Sequence, residues 1–415
     1  MVISRSSVIL TKTGFKTTEV GEIPEEWMTK PLSEVGQYIN GMAFKPSEWR
    51  EQGIPIVRIE NLNDTNASFN YYQGEFDRRF LLENGEILLS WSASLGVYIW
   101  NRGRALLNQH IFKVMPNENV AKQFLYWALH KAVENLGRVT HGSTMKHFKK
   151  GELEQTLIGL PPLSEQQKIA DILSTADDAI QEVNEQITLT EQLKKGLMQQ
   201  LLTKGIGHFR FKESDIGKTP EDWDLKPFSE ILQIRKRKNR GKLEKLYTIP
   251  MDLIPENGTY CGYRAIESNE VIPPTYCESG DILLPKITPS VENGKQGIVP
   301  NIPSGNAFAT SEVYPIVAGN TLTNLFTFYL LKMDLFRKPL INSMVGTTGR
   351  QRVPKDSLFN LMFPVPTISE QNKITEILSS VDGKLDLLGQ KKEYMETLKK
   401  GLMEDLLTGK TRVKV

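Results

Sequence analysis

The fold is decided by residues 160–205, LPPLSEQQKIADILSTADDAIQEVNEQITLTEQLKKGLMQQLLTKG. The stretch recurs at residues 365–410 as VPTISEQNKITEILSSVDGKLDLLGQKKEYMETLKKGLMEDLLTGK. The two copies align without a gap at a distance of 205 residues and are identical at 20 of 46 positions. Since the period is half of the 415-residue chain, the repeat predicts two similar halves rather than a solenoid of many short units.

A second repeat precedes each copy. TEVGEIPEEWMTKPLSEV at residues 18–35 corresponds to SDIGKTPEDWDLKPFSEI at residues 214–231, 196 residues later. Between the repeats, the interiors of the two halves diverge. The boundaries that we predict are an N-terminal arm at 1–17, a first globular domain at 18–159, a central long helix at 160–205, a second globular domain at 206–363, a C-terminal long helix at 364–410 and a tail at 411–415.

Each copy of the long repeat predicts one amphipathic helix. Ser164 and Ser369 are suitable N-caps, and Gln167 stands where a capping box needs it. Apolar residues follow at alternating steps of four and three, which predicts that the helices pack on each other, and then at steps of four, which indicates a change of partner. The alternative is that each helix only covers its own globular domain. The residues expected to pair the helices or to contact a partner are Ile169, Leu173, Ile180, Val183, Ile187, Leu193, Leu197, Leu201, Ile374, Leu378, Val381, Leu385, Leu388, Leu398, Leu402 and Leu406.

Both globular segments are predicted to be α+β. Short apolar runs that follow a glycine, at 86–89 and 281–284, are typical of strands, and helical apolar runs follow at 121–136 and 323–340. We expect two such domains joined by two long helices in a pseudo-twofold organisation. Because residues 9–16 resemble the exit of a long helix, we expect a cyclic plan in which the C-terminal helix ends beside the N-terminal arm.

The composition is that of an ordinary globular protein, with 39% hydrophobic and 24% charged residues and a net charge of +2. This balance argues against disorder, and it means that any signal for a nucleic-acid partner must be local. The two cysteines, Cys261 and Cys277, both lie in the second half, which suits a reducing compartment. We see no signal peptide and no apolar run near the length of a membrane span, so we expect a cytoplasmic protein.

Motifs of catalysis are missing from the sequence. The Gly-Lys-Thr tripeptides at 217–219 and 409–411 lack the first glycine of a phosphate-binding loop, and neither a methyltransferase Asn/Asp-Pro-Pro-Tyr/Phe motif nor HExxH occurs. The five histidines show no metal-ligand spacing. A faint nuclease-like pattern at 220–226 has no counterpart in the first half. We therefore expect no catalytic residue, metal or cofactor in this chain.

Local basic and hydroxyl-rich segments point to DNA. Residues 235–242, RKRKNRGK, contain six basic side chains, whose charge a polyanion would neutralise; a solvated loop is the alternative. Polar loops follow the two glycine-led strands and precede both long helices, and they carry the side chains that contact bases and phosphates, although ordinary turns use the same residues. The candidates for DNA contact are Lys45, Ser90, Trp91, Ser92, Ser143, Thr144, Lys146, His147, Arg235, Lys236, Arg237, Lys238, Arg240, Lys242, Lys286, Thr288, Thr347, Thr348, Arg350 and Arg352.

Three motifs that occur twice resemble those of the specificity (S) subunits of type I restriction–modification systems. They are P-x-x-x-E-Q-x-K-I-x-x-I-L-S at the start of each long helix, L-K-K-G-L-M-x-x-L-L-T at its end, and G-x-x-P-E-x-W at the start of each globular segment. The resemblance spans residues 9–410. Its departures are mild: Asn372 replaces Gln167, and the first domain lacks a basic run that matches the one at 235–242.

The resemblance implies a division of labour between subunits. Each globular segment would be a target recognition domain that reads one half of a split, asymmetric DNA sequence, and the helices would form an antiparallel coiled-coil spacer. The subunit would have no catalysis of its own. It would recruit two modification (methyltransferase) subunits, which use S-adenosylmethionine, and restriction subunits, which use ATP and Mg.

Two other classes of function stay open at this point. A protein-binding coiled-coil scaffold shares the helices and needs no DNA contact, so enrichment of a split motif from random duplexes separates it from a specificity subunit. A stand-alone enzyme differs from both because the purified chain alone methylates or cleaves DNA.

Overall fold

The computed structural model describes residues 14–92, 95–139, 151, 154–236, 245–266, 271–347 and 349–414. The chain divides into two units. Unit 1 comprises Met1–Val183 and Lys392–Val415, and unit 2 comprises Asn184–Lys391. Both long helices cross this division, so each contributes one segment to each unit.

The described residues of unit 1 include short strands and several helices besides the long ones. Its strands are β1 (Phe15–Thr18), β2 (Gly21–Pro24), β3 (Met28–Pro31), β4 (Gly36–Asn40), β5 (Ile54–Val57), β6 (Asn70–Tyr72), β7 (Leu81–Leu82), β8 (Ile87–Ser90), β9 (Gly96–Ile99), β10 (Ala105–Leu107), β11 (Ile111–Pro116) and β12 (Leu157–Leu160). Its helices are α1 (Leu32–Val35), α2 (Ile59–Asn63) and α3 (Lys122–Val139), with 3₁₀ turns at Pro46–Glu48 and Arg78–Phe80.

The strands of unit 1 form two four-stranded sheets. One has the order β4-β11-β8-β9 and is antiparallel throughout. The other has the order β6-β5-β10-β7, and its central strands β5 and β10 are parallel. Strand β8 is buried along its whole length, which explains the three consecutive apolar residues at 87–89. The pairing of β12 with β3 brings the end of the globular segment back to its start.

The core of unit 1 includes both long helices. Phe124 and Trp127 of α3 are buried in one cluster with Phe112 of strand β11. Ile169 and Leu406, from the two long helices, belong to the same cluster. Burying a side chain of this size stabilises a fold by about 1.5–3 kcal/mol, so the helix ends are part of the domain core.

Unit 2 has the corresponding elements. Its strands are β13 (Phe211–Lys212), β14 (Thr219–Pro220), β15 (Asp224–Pro227), β16 (Leu232–Ile234), β17 (Tyr247–Ile249), β18 (Arg264–Ala265), β19 (Thr275–Glu278), β20 (Ile282–Pro285), β21 (Gly297–Ile298), β22 (Asn306–Ala309), β23 (Val313–Ala318), β24 (Val345–Thr347), β25 (Arg350–Arg352) and β26 (Met362–Val365). Its helices are α5 (Phe228–Ile231), α6 (Asn324–Lys332), α7 (Asp334–Asn342) and α8 (Lys355–Phe359), with a 3₁₀ turn at Met251–Leu253; α4 denotes the first long helix.

The topology of unit 2 repeats that of unit 1. The order β16-β23-β20-β21 matches the first sheet, and the order β18-β17-β22-β19 matches the second, again with parallel central strands β17 and β22. Strands β15 and β26 pair as β3 and β12 do. Leu202 and Ile374, from the two long helices, lie in the core with Phe326 of α6 and Phe363. The predicted duplication of an α+β domain is confirmed.

The long helices are α4 (Leu163–Lys204) and α9 (Ile368–Leu407), and they run antiparallel. In unit 1, Asp177 pairs with Lys399 and, earlier in α4, Glu165 pairs with Arg412, which follows α9. In unit 2, Lys194 pairs with Asp382. The predicted antiparallel pair is confirmed, and so is the cyclic plan, because α9 ends in unit 1; residues 1–13 lie outside the described residues.

The two ion pairs between the helices are one interaction made twice. Asp177 and Asp382 are 205 residues apart in the sequence, and so are Lys194 and Lys399. Each unit thus contains one aspartate from the first part of one helix and one lysine from the second part of the other. This exchange is what a pseudo-twofold relation between the copies requires.

The predicted helix caps are wrong by two residues. The helices begin at Leu163 and Ile368, so Ser164 and Ser369 already lie inside the first turn. In the second copy, the hydroxyl of Thr367 accepts a hydrogen bond from the backbone N–H of Glu370 (3.3 Å) and acts as the cap. Gln167 is exposed.

The predicted apolar seam divides into two classes. Most of its residues are buried or half-buried, including Ile169, Leu173 and Ile374. Leu193 and Leu398 instead remain 53% and 42% exposed. Of the two roles that the sequence left open for these leucines, their exposure disfavours helix pairing and favours contact with a partner. The alternative that helices only cover the domains is wrong, since they also pair with each other.

Candidate nucleic-acid interface

In unit 2, two polar loops that are distant in sequence lie side by side. The backbone N–H of Thr288 donates to the carbonyl of Gln351 (3.1 Å), and the N–H of Val353 donates to the carbonyl of Lys286 (2.8 Å). The turn before strand β23 joins them, because the N–H of Lys286 donates to the carbonyl of Glu312 (3.0 Å). We call residues 286–288, 310–312, 345–347 and 349–352 the hairpin surface of unit 2.

Charged side chains are packed closely on the hairpin surface. The Lys286 ammonium lies 4.7 Å from the ring centre of Tyr314. Burial, and then the nearby Arg352, lower the pKa of Lys286. Arg352 donates to a carboxylate oxygen of Glu312 (2.7 Å). The cations of this surface therefore repel one another, and an added anion or acceptor group would relieve the repulsion.

Two further candidates, Thr347 and Arg350, are exposed on the hairpin itself. The hydroxyl of Thr288 donates to Glu292 (2.8 Å). Five of the candidates predicted from the sequence of the second half thus come together on one surface. Thr348 lies outside the described residues.

Arg235, the first residue of the basic run, serves the fold. Its guanidinium is ion-paired with Asp281 and with Glu278, the latter at 2.7 Å. The hydrogen bond to Asp281 raises the pKa of Arg235. Because two carboxylates already neutralise this arginine, we leave it out of the interface. Lys236 is exposed, and the remaining basic residues of the run lie outside the described residues: Arg237, Lys238, Arg240 and Lys242.

In unit 1, the candidates after strand β8 are mostly enclosed. Ser90 is fully buried, with its hydroxyl donating to the carbonyl of Gly96 (3.4 Å), which disfavours its predicted contact with DNA. The Trp91 ring is stacked on Phe112, with centroids 5.9 Å apart. Ser92 is half-buried, and Lys45 is exposed. The other candidates of this half, Ser143, Thr144, Lys146 and His147, lie outside the described residues.

The sequence reasoning missed an arginine at the same edge of unit 1. Arg58 follows strand β5, lies 4.9 Å from the ring centre of Trp49 and is ion-paired with Glu60. The neighbouring turn is anchored there, since the N–H of Asn108 donates to the carbonyl of Val57 (3.2 Å). Nothing in the local sequence marks Arg58, because its position depends on the parallel pairing of β5 with β10.

The repeated Glu-Gln dipeptide at each helix start makes contacts that were not predicted from the sequence. The indole N–H of Trp27 donates to Glu165 (3.0 Å), and that of Trp223 donates to Glu370 (3.0 Å). Glu165 also accepts from Arg412 (2.7 Å). His208 holds the corresponding place beside Glu370, with its Nε2 at 2.8 Å.

The glutamines beside these carboxylates clamp a loop. Gln166 accepts from the N–H of Ala121 (2.8 Å) and donates to the carbonyl of Pro161 (2.8 Å). Gln371 likewise accepts from the N–H of Thr323 (2.8 Å) and donates to the carbonyl of Pro366 (2.9 Å). The repeated motif therefore fixes each long helix to the loop that leads into α3 or α6. The repetition of the Glu-Gln dipeptide in both copies was the sequence signal for these contacts. A residue that only caps an exposed helix end need not be identical in the two copies.

Metal-binding clusters and reactive thiols were sought among the described residues. No group of three or more His, Cys, Asp or Glu side chains there could hold a metal ion. Burial raises the pKa of both cysteine thiols, that of Cys277 to about 12, so neither is a ready nucleophile. No helix among the described residues has both the length and the apolar character needed to cross a membrane.

Comparison with known proteins identifies the class. The profile of the type I restriction modification DNA specificity domain matches twice, at residues 24–193 and 220–397. The chain therefore belongs to this family, and the resemblance stated from its motifs is confirmed.

Individual relatives agree with this assignment. The MjaVIII type I restriction enzyme specificity subunit of Methanocaldococcus jannaschii is 30% identical over 96% of both chains, and the putative MjaX specificity subunit of the same organism is 27% identical over 96% of this chain and 97% of its own. A solved type I restriction–modification S subunit from M. genitalium has a TM-score of 0.55 at 15% identity, over 92% of this chain and 96% of its own, which shows the shared fold.

Proposed function

We propose that this chain is a non-catalytic subunit that reads a bipartite, asymmetric DNA target and recruits modification and restriction subunits to it. The observation that carries the proposal is the contrast between the repeated and the divergent parts. The junction of each domain with its helix is built from the same bonds in both units, whereas the loops at the sheet edges differ in charge and shape. Two matching domain–helix junctions suit two copies of one partner protein. Two sheet edges with different loops suit two different DNA half-sites.

In unit 2, the hairpin surface is the proposed DNA contact. Lys286 and Arg350 supply charge for phosphates, Arg352 supplies two parallel donors for a guanine edge, and Thr288 and Thr347 supply hydroxyls. Lys236 and the basic residues that follow it extend the phosphate contact.

In unit 1, the proposed contact is formed by Lys45, Trp91, Ser92 and Arg58, together with the polar loop that precedes α4. This set carries fewer positive charges than that of unit 2. We therefore expect unit 1 to contribute less to the salt dependence of binding.

The exposed apolar residues of the long helices are the proposed docking sites for two modification subunits. Leu189 and Leu193 of α4 are exposed, and so are Tyr394 and Leu398 of α9. The two pairs are related by the same shift of 205 residues as the helices. One apolar patch made twice supports binding of two copies of one protein.

The proposal places the chemistry outside this chain. The modification subunits would supply S-adenosylmethionine-dependent methylation, and the restriction subunits would use ATP and Mg. The assembly would act on cytoplasmic DNA.

The decisive experiment is selection of random duplexes by the complex of this chain with its modification subunits. We expect enrichment of one motif with two different halves and a fixed spacer. Enrichment of no split motif would favour the protein-binding scaffold instead. Methylome sequencing of a host that expresses the complex gives the same answer independently.

A further inference from the structure

On the hairpin surface of unit 2, the exposed Arg352 is held by a carboxylate. Arg352 is 56% exposed along its side chain, and Glu312 is only 27% exposed. The second carboxylate oxygen of Glu312 accepts from the hydroxyl of Ser311 (3.0 Å), and its backbone N–H donates to the hydroxyl of Thr310 (3.3 Å). The glutamate is therefore fixed by its own turn, while the arginine lies at the surface.

Such an arrangement affects phosphates and bases differently. An exposed arginine alone binds any phosphate, because that attraction is independent of sequence. A carboxylate fixed beside it repels the phosphate anion. The Hoogsteen edge of guanine, with O6 and N7, is uncharged and offers the guanidinium two acceptors, so the same carboxylate opposes it far less.

We propose that Glu312 is a specificity-determining residue. Its ion pair with Arg352 persists when the arginine faces a phosphate, and it breaks when a base edge offers the guanidinium two acceptors. The proposal deepens the DNA-reading function given above and rests on it. Lys286 contributes as well, since it lies on Tyr314 beside the pair and its charge favours release of the arginine towards an acceptor.

The arginine–glutamate pair after strand β5 of unit 1 is arranged differently. Arg58 is 28% exposed along its side chain and its partner Glu60 is 52% exposed, so the carboxylate is the more exposed partner there. Of these two pairs, only Arg352 with Glu312 combines an exposed arginine with a fixed, less exposed carboxylate.

The test compares specific with non-specific affinity in the assembled complex. Glu312→Gln keeps the acceptor for Ser311 and removes the charge. We expect affinity for a duplex with the unit 2 half-site scrambled to rise by about fivefold or more, with a salt slope steeper by about one phosphate contact. Affinity for the selected target is expected to change by less than about twofold, so that discrimination falls.

A matched control is Glu292→Gln, which makes the same change of charge on the neighbouring loop, where the acid holds Thr288 and no arginine. It should leave the ratio of affinities unchanged. In the double variant Glu312→Gln with Arg352→Ala, the gain in non-specific affinity should disappear, which a change in folding would not produce.

The outcomes separate the two proposals. If the wild-type complex enriches no split motif, the DNA-reading function fails and the inference fails with it. If the wild-type complex discriminates but Glu312→Gln keeps the wild-type ratio, or if Glu292→Gln lowers it equally, only the role of Glu312 is overturned.

Discussion

Single buried carboxylates hold the junctions between domain and helix. Glu165 is buried and accepts from both the Trp27 indole and the Arg412 guanidinium. Removing this carboxylate leaves the Trp27 indole N–H buried without an acceptor and leaves Arg412 with Glu26 as a carboxylate partner, which costs more than the lost hydrogen bonds contribute. We therefore expect replacement of such a glutamate to lower the free energy of unfolding more than replacement of an exposed glutamate does.

We predict that Glu165→Ala destabilises the fold by about 2–4 kcal/mol, because the buried Trp27 indole loses its acceptor and Arg412 loses one of its two carboxylate partners, the other being Glu26. Urea unfolding followed by tryptophan fluorescence measures the change. Glu22→Ala, at an exposed strand position, is the control and should cost less than about 0.5 kcal/mol. A loss below about 1 kcal/mol for Glu165→Ala would show that the junction does not depend on this charge.

His130 gives unit 1 a pH dependence. Burial, and then the charge of Lys399, lower the pKa of His130 to about 4, while Asp177 opposes this shift. The unfolded chain therefore binds more protons than the native one between the native pKa and the ordinary value of about 6.5, so stability rises with pH across that interval.

The predicted contribution of His130 is up to about 2–3 kcal/mol, present above pH 6.5 and lost as the pH falls towards 4. The unfolding free energies of the wild type and of His130→Phe are compared over this pH range. The carboxylates titrate in both proteins, so the difference between the two curves gives the contribution of His130. NMR titration of His130 provides a direct check. A native pKa near 6.5 would contradict the prediction.

At the scale of elements, the long helices have distinct faces. Residues such as Leu173 and Leu378 are buried in the domain cores, whereas Leu193 and Leu398 remain exposed at matching places of the two copies. The helix pair can therefore be tested separately for folding and for docking.

We predict that Leu193→Asp with Leu398→Asp leaves the melting temperature of the chain unchanged but weakens binding to the modification subunits by at least about tenfold, since each leucine would lose burial worth about 1.5–3 kcal/mol. Sizing chromatography of the variant mixed with the modification subunits, and titration of one with the other, measure this binding. Gln192→Asp with Thr397→Asp, at the adjacent exposed positions, is the matched control. A complex that assembles normally would exclude this patch as the docking site.

The elements were predictable to different degrees for a physical reason. Helical periodicity is local, so the extent and pairing of α4 and α9 could be inferred from the sequence alone. The hairpin surface depends on non-local pairing, such as the antiparallel contact of β20 with β23 and the bridge between Ile287 and Arg352, which no short pattern reports. The ion pairs of Arg235 and the burial of Ser90 could not be predicted either, because a basic or hydroxyl residue has the same sequence signature whether it faces solvent, an acid or the core.

At the scale of the whole molecule, the helix pair is proposed to set the spacing of the half-sites. Deleting residues 184–190 and 386–392 removes two turns from both helices, between the Asp177–Lys399 pair and the Lys194–Asp382 pair. This shortens each helix by about 10 Å, the length of about 3 bp.

The prediction is that the shortened chain selects the same two half-sites with a spacer reduced by up to about 3 bp. Because the deletion also removes Leu189 of the proposed docking patch, duplex selection with the shortened chain itself measures the spacer. Deletion from one helix only is the control and should disrupt folding, because it shifts the register of the pair. An unchanged spacer would show that the helices do not fix the distance.

The division of the chain has a consequence for biosynthesis. Unit 2 is one continuous segment, residues 184–391, so the ribosome has made all of it before residues 392–415 appear. Unit 1 needs those later residues, because Leu406, Leu407 and Val413 lie in its core and Arg412 satisfies Glu165. Most of unit 1 is therefore translated first, but unit 1 is the last to complete its fold. While unit 2 is being made, the nascent chain carries an incomplete unit 1 with part of its apolar core exposed.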